Sequence, residues 1–247
     1  MSKNLTIALS GIPYGPGSSD LYWDDAGNNL TIGSGSSDEW TWGAANSATM
    51  YEDFTVVGNL SAQGSVYSSD VANVKAYGAT GDGTTDDTAA INSAIATGAP
   101  VFVPKGNYRV TSMISLSNGQ SMYGDNVHSS IIKVNWSDWS SSTAPGIIRL
   151  GDNEPGAQID KIGITFTQPT SSGIARSNLY QYPPAIYAYS VPRFKIGHIR
   201  ISDAWDGINM NGNSGGSIIE FAEIGAFNRG IYAGGSVDFC HFGHLHI

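Results

Sequence analysis

The stretch Val71-Ala72-Asn73-Val74-Lys75-Ala76-Tyr77-Gly78-Ala79-Thr80-Gly81-Asp82-Gly83-Thr84-Thr85-Asp86-Asp87-Thr88-Ala89-Ala90-Ile91-Asn92 reads as strand, loop and helix in succession. Gly78, Gly81 and Gly83 suit a tight loop. Thr85 or Asp86 can cap a helix whose orphan N–H groups also favour the negative Asp86 and Asp87 in its first turn. Ile91, Ala94 and Ile95 then fall on one face, and Gly98 followed by Pro100 stops the helix, which is expected near 86–97. Val101-Phe102-Val103-Pro104, a Lys105-Gly106-Asn107 turn and Tyr108-Arg109-Val110 continue as strand, turn and strand. A calcium or phosphate loop is the competing reading of so much Gly and Asp. Asp82 to Asp86 lacks the alternating ligands and distal Glu of the former, and no Lys follows the glycines as the latter requires.

Together these residues resemble the opening motif of pectate-lyase-like right-handed parallel β-helices, known from phage tailspikes and bacterial glycan-cleaving enzymes. The resemblance rests on Tyr77-Gly78-Ala79, Gly81-Asp82-Gly83, Asp86-Asp87-Thr88, Ala90-Ile91 and Val103-Pro104-Lys105-Gly106-Asn107-Tyr108. It implies an all-β chain whose helix closes the open end of the solenoid. Gly78, Gly81, Asp82, Gly83, Asp86, Asp87, Thr88, Pro104, Gly106 and Tyr108 then serve structure rather than catalysis.

A solenoid must return to the same side after each coil, so the sequence should repeat. Ala185-Ile186, Gly207-Ile208 and Gly230-Ile231 do so at intervals of 22 and 23. Phe194, Phe221 and Phe239 follow 8, 13 and 8 residues later, and a five-residue bulge at Asn211-Gly212-Asn213-Ser214-Gly215 would account for the outlier. Alternation such as Phe194-x-Ile196, Ile199-x-Ile201 and Leu245-x-Ile247 places one residue set inward. An ordinary β-sandwich has no need of that fixed spacing. The coil from Gly230 stops at Ile247 after 18 residues, which suggests the front part of a longer protein. Three regions are expected: 1–68 as a small β-rich attachment and stalk region, 69–112 as the opening and cap, and 113–247 as the first coils.

Residues 1–68 are rich in Gly, Ser, Asn and Asp, with short β-prone pieces at Asn4-Leu5-Thr6-Ile7-Ala8-Leu9 and Phe54-Thr55-Val56-Val57. Residues 21–33, with β-formers on both sides of Asp24-Asp25-Ala26-Gly27-Asn28, give a hairpin signal. This stretch and residues 54–66 resemble the Gly-Asn strand repeats of phage tail-fibre stalks. Isolated hairpins are marginal in water, so pairing with other copies of the chain is expected.

Charged residues make only 13% of the 247, with a net charge of −9. That balance argues against nucleic acid or an anionic membrane surface as the main partner. The single Cys240 forms no intrachain disulfide and reads as a small buried hydrophobe. No apolar run is long enough to insert in a membrane, and the amino terminus lacks the apolar core and cleavage site of a signal peptide. The sequons at Asn4, Asn29, Asn59 and Asn135 are read as products of composition.

Glycan cleavage commonly needs two carboxylates, one of them protonated. Asp203 and Asp206, flanking Trp205 in what reads as a loop between coils, are the weak candidates, with turn capping as their alternative role. The catalytic residues are otherwise unassigned. Glu220 and Glu223 read as solvated sheet residues pointing to opposite sides of a regular strand. His244 and His246 can share a strand face, but His241 has opposite parity unless a turn intervenes, and no carboxylate accompanies them, so no metal site and no cofactor are expected. Trp136, Trp139, Tyr180, Tyr182, Tyr187 and Tyr189 either stack on sugars or pack turns against the solenoid.

The resemblance implies a phage tailspike or receptor-binding tail protein, located on the virion. It would be a homotrimer anchored to baseplate or tail proteins through residues 1–68, recognising and depolymerising a bacterial surface polysaccharide by hydrolysis or elimination, with a complete active site outside this portion. A structural tail fibre or adaptor that binds without cutting is the alternative. A stand-alone secreted lyase is disfavoured by the amino-terminal region.

Overall fold

The computed structural model describes residues 20–24, 29–33, 71–152, 155–169 and 175–247. The chain divides into two compact units, Met1–Ser61 and Ala62–Ile247. In the first, strands Asp20–Asp24 and Asn29–Gly33 pair antiparallel, Asp20 opposite Gly33 and Asp24 opposite Asn29, which is the hairpin read from sequence. The pieces at residues 4–9 and 54–66 lie outside the described residues.

The second unit is a parallel β-helix. Its strands form three stacked faces because each coil changes direction at short corners and pairs in parallel with the coil before it. The first face is built from Ala72–Asn73, Val101–Val103, Ser121–Gly124, Gln158–Asp160 and the leading parts of Lys195–Asn209, Ile218–Tyr232 and His241–His246. The second holds Gly106–Arg109, Ser130–Val134 and Ile162–Phe166. The third holds Ile114–Leu116, Ile148–Leu150 and Ile186–Tyr187. The two fifteen-residue strands run through all three faces.

Alternation sends one residue set into a continuous core. Val101, Met122, Ile159, Ile196 and Ile219 stack in one buried column, Tyr108, Ile132, Ile164, Ile201 and Ile224 in another, and Ile114, Ile148, Ile186 and Ile208 in the third. Fully burying each aliphatic side chain contributes about 1.5–3 kcal/mol, so the columns dominate the fold's stability.

The spacing of Ile186, Ile208 and Ile231 read from sequence is the true register of the third face. The phenylalanine series is not. Phe194 is buried, Phe239 is 97% exposed, and Phe221 stands outward between His198 and His244. The aligned residues are Ile196, Ile219 and Phe242, evenly 23 apart, and the turn at 211–215 matches its neighbours, with Gly212 bonded to Gly234 and Ser214 to Ser236. No five-residue bulge exists. The two coils before these are longer: Met122, Ile159 and Ile196 stand 37 apart, because residues 135–147 and 167–185 are inserted between the second and third faces, whereas Val101 and Met122 are 21 apart.

Helix α1, Thr88–Ala96, turns Ile91, Ala94 and Ile95 into the core. Gln120 Nε2 donates to the carbonyls of Ile95 and Ala99, tying the cap to the coil beneath. The helix begins later than the sequence suggests, and neither aspartate lies in its first turn. Asp86 accepts from the Thr88 amide and hydroxyl at 3.0 and 2.6 Å and from the Thr111 hydroxyl at 2.7 Å. Asp87 is fully buried and turns back to take the amides of Thr80 at 2.7 Å and Gly81 at 3.1 Å, so that these loop donors are paired. Asp82 accepts from the amides of Thr84 and Thr85, and Thr85 itself caps nothing. Gly81 and Gly106 leave room for the Tyr108 ring, which a β-carbon at either would meet at about 3 Å, and the Tyr108 hydroxyl donates to the Pro104 carbonyl. Gly78, at φ +99°, ends the short 3-10 turn Val74–Tyr77. A second short helix, α2, Trp136–Trp139, is held by the Arg109–Asp138 ion pair and by Trp139 Nε1 donating to the Val110 carbonyl.

Candidate functional site

Asp203 and Asp206 lie within the strand Lys195–Asn209, not in a loop. The strand passes from the second face to the third here, and Asp203 takes the corner at φ +61°, a conformation Asp tolerates better than most residues. Its side chain is exposed, while its carbonyl accepts from Gln168 Nε2 at 3.1 Å. Three residues on, Asp206 is buried. Both its oxygens are taken: Arg229 Nε and Nη2 donate at 3.0 and 2.7 Å, and Asn228 Nδ2 at 2.8 Å. Asp206 and Arg229 are register partners on adjacent coils, so the pair ties one rung to the next. The hydrogen bond from Asp206 raises the Arg229 pKa further. A two-pronged guanidinium favours the ionised carboxylate. With both oxygens committed to Arg229 and Asn228, Asp206 is held as a structural link between coils and not as a free member of a glycosidase carboxylate pair.

Around this corner the side chains form an outward ridge. The Arg176 guanidinium lies 5.1 Å over the half-buried Trp205 ring and donates to Asn228 Oδ1, and Arg229 lies 4.4 Å over Tyr232. On the adjoining third face, Arg149, Tyr187, Asn209 and Tyr232 stack in register and point out, with Tyr189 against Tyr187 at 6.0 Å and 12°. Aromatic faces beside guanidinium and amide donors can bind a sugar by stacking and hydrogen bonding.

The other aromatics divide between packing and surface. Trp139 and Tyr182 are buried, and the Tyr182 hydroxyl donates to the Thr167 carbonyl. Trp136 and Tyr180 stack at 4.8 Å and 3°, fastening the chain at Tyr180 to α2. Glu220 and Glu223 both face outward, because the strand turns a corner after Glu220. They pair with Lys195 at 2.8 Å and with Arg200 at 3.6 Å. The same corner, one coil on, leaves His241, His244 and His246 all exposed, with His244 stacked on Phe221. Cys240 is half-buried, its thiol 3.3 Å from the Ser214 carbonyl.

The second unit is thus a parallel β-helix with polar and aromatic side chains along its outer faces. Residues 71–144 match the family described as "Rhamnogalacturonase A/epimerase, pectate lyase-like". The chain is 43% identical over 61 residues to the pre-neck appendage protein of Bacillus phage phi29, covering 25% of this chain and 7% of that protein. It is 48% identical over 61 residues to the mannuronan C5-epimerase AlgE2 of Azotobacter vinelandii, covering 23% and 6%. Among solved structures, the catalytic unit of a GH87 alpha-1,3-glucanase from Streptomyces thermodiastaticus is similar over 73% of this chain and 36% of that one, at 18% identity and a TM-score of 0.47. The chain spans less than a tenth of the length of the curated relatives it matches first.

Proposed function

We propose that this chain belongs to a phage tail or neck appendage protein whose β-helix recognises a bacterial surface polysaccharide. The observation that carries the reading is the outward column of Arg149, Tyr187, Asn209 and Tyr232 beside the Trp205–Arg176 pair, a repeated surface of sugar-binding side chains on a rigid lattice. The likeness to a phage appendage protein over one segment, and to a polysaccharide epimerase, supports it. In this reading residues 1–68 dock to the tail, the protein is a homotrimer on the virion, and the whole protein depolymerises the glycan it binds. A binding-only fibre or adaptor is the second reading, favoured by the commitment of Asp206 to Arg229 and Asn228.

Affinity electrophoresis of the chain through capsular and O-antigen polysaccharides tests recognition. Retardation by one of them is expected, weakened about tenfold in Trp205→Ala, the loss of one aromatic contact of about 1.5 kcal/mol. Mobility unchanged by every surface polysaccharide would defeat the proposal. Reducing ends or unsaturated products released by the whole protein separate depolymerisation from binding alone. Light scattering at micromolar concentration tests trimerisation, which a mass of 26.0 kDa would refute.

A further inference from the structure

We infer that the outer surface of the first face carries a second glycan site, distinct from the Trp205 ridge and suited to a neutral, hydroxyl-rich sugar. The inference rests on the polysaccharide-recognition reading above. Two side-chain columns run along this face. Tyr123, Asp160, Gly197 and Glu220 follow one another on successive coils, and Ser121, Gln158 and Lys195 stand beside them. These residues line one shallow groove whose floor is the backbone of Met122 and Ile159.

Gly197 gives the groove its shape. A β-carbon there would sit 2.3 Å from Asp160 Oδ1, so only glycine lets the carboxylate lean across the strand. The His198 amide, donating to Asp160 Oδ1 at 2.7 Å, holds it there. The residue lines the groove with that one oxygen engaged. Glu220 is positioned by Lys195 at 2.8 Å, which also fixes an ammonium at the groove's edge. Tyr123 lies against Phe102, ring centroids 5.3 Å apart, which steadies a half-exposed aromatic at one end.

Such a set offers carboxylate and amide acceptors, ammonium and amide donors, and one aromatic face, all at the strand pitch of about 4.8 Å, the scale of one sugar unit. Charge selects the sugar. Asp160 and Glu220 against Lys195 leave a net negative groove, which repels uronate, phosphate or sulfate groups but accepts hydroxyl donors in strong charge-assisted hydrogen bonds. The ammonium paired with Glu220 equally opposes a metal ion. The ridge sets Arg176 and Arg229 against Asp203 and Asp206 and so lacks the groove's net negative charge, and the two surfaces should sort glycans by charge.

The test is an array of defined neutral and uronate-containing bacterial-surface oligosaccharides, probed with the whole chain and with Tyr123→Ala, Asp160→Asn, Glu220→Gln and Trp205→Ala. Thermal unfolding confirms that each variant is folded. Retention of a neutral oligosaccharide is expected, weakened about tenfold by Tyr123→Ala and Asp160→Asn and untouched by Trp205→Ala. Neutral binding indifferent to Tyr123, Asp160 and Glu220 would overturn the inference, as would retention of acidic glycans alone. In the latter case the recognition reading survives. Retention of no oligosaccharide of either class would sink both.

Discussion

Asp87 in the cap and Asp160 on the first face each accept a short hydrogen bond from a backbone amide, yet they do opposite work. Asp87 is sealed from solvent with its oxygens spent on the loop that precedes it, at Thr80 and Gly81. Asp160 spends one oxygen on His198, a coil away, and lines an open groove. A carboxylate whose oxygens are all consumed by the protein is scaffold, and one anchored by a single oxygen on an open face is available for a ligand. Asp206 belongs with Asp87 by this measure, despite the tryptophan beside it.

The largest effect that could break the comparison is on stability. Asp87→Ala strips the acceptor from the part-buried amides of Thr80 and Gly81, and a loss of about 2 kcal/mol is expected in chemical unfolding, where each orphaned buried group costs about 1–3 kcal/mol. Asp160→Ala should cost under about 1 kcal/mol, because water replaces what it loses. Equal losses would erase the distinction between scaffold and available carboxylates. Arg229→Leu comes next. It leaves the mostly buried Asp206 with Asn228 alone, and about 1–2 kcal/mol is expected after allowing for the exposure of Arg229. A variant as stable as the parent would return Asp206 to the list of free carboxylates.

How far each region could be read from sequence follows from the range of its contacts. The cap was legible because its partners are local: Asp87 reaches back six and seven residues, Asp86 forward two, and Tyr108 back four to Pro104. The third-face repeat was legible where coils are 22 or 23 residues long and was lost where insertions stretch the spacing to 34 and 38. Asp160 carried no signal, since its amide donor is 38 residues away and its neighbour across the strand is a glycine. Trp205 was noticed, but Arg176, 29 residues earlier, could not be assigned to it without the fold. The error over Phe194, Phe221 and Phe239 has the same origin. Strict alternation fails at corners, so a residue type repeating at similar intervals need not keep one side.

The smallest effect separates the cap's own aspartates. Partial burial pushes the Asp86 pKa up, but hydrogen bonds from Thr88 and Thr111 and the charge of Arg109 outweigh it, and the net shift is downward. Asp82, held by the amides of Thr84 and Thr85, is lowered well below the usual carboxylate range. A group whose pKa is depressed on folding contributes stability above its unfolded value of about 3.9, and that contribution fades as pH falls through the folded value. Acid should therefore loosen the cap progressively below about pH 4, where the unfolded chain binds protons that the folded cap refuses. Asp86→Asn should cost under about 1 kcal/mol at pH 7, since Asp86 is largely exposed and screened. Its unfolding curve should merge with that of the parent near pH 2. Two curves separated by the same amount at pH 7 and pH 2 would mean that Asp86 acts through shape alone, and that its charge does no more for the cap than an amide would.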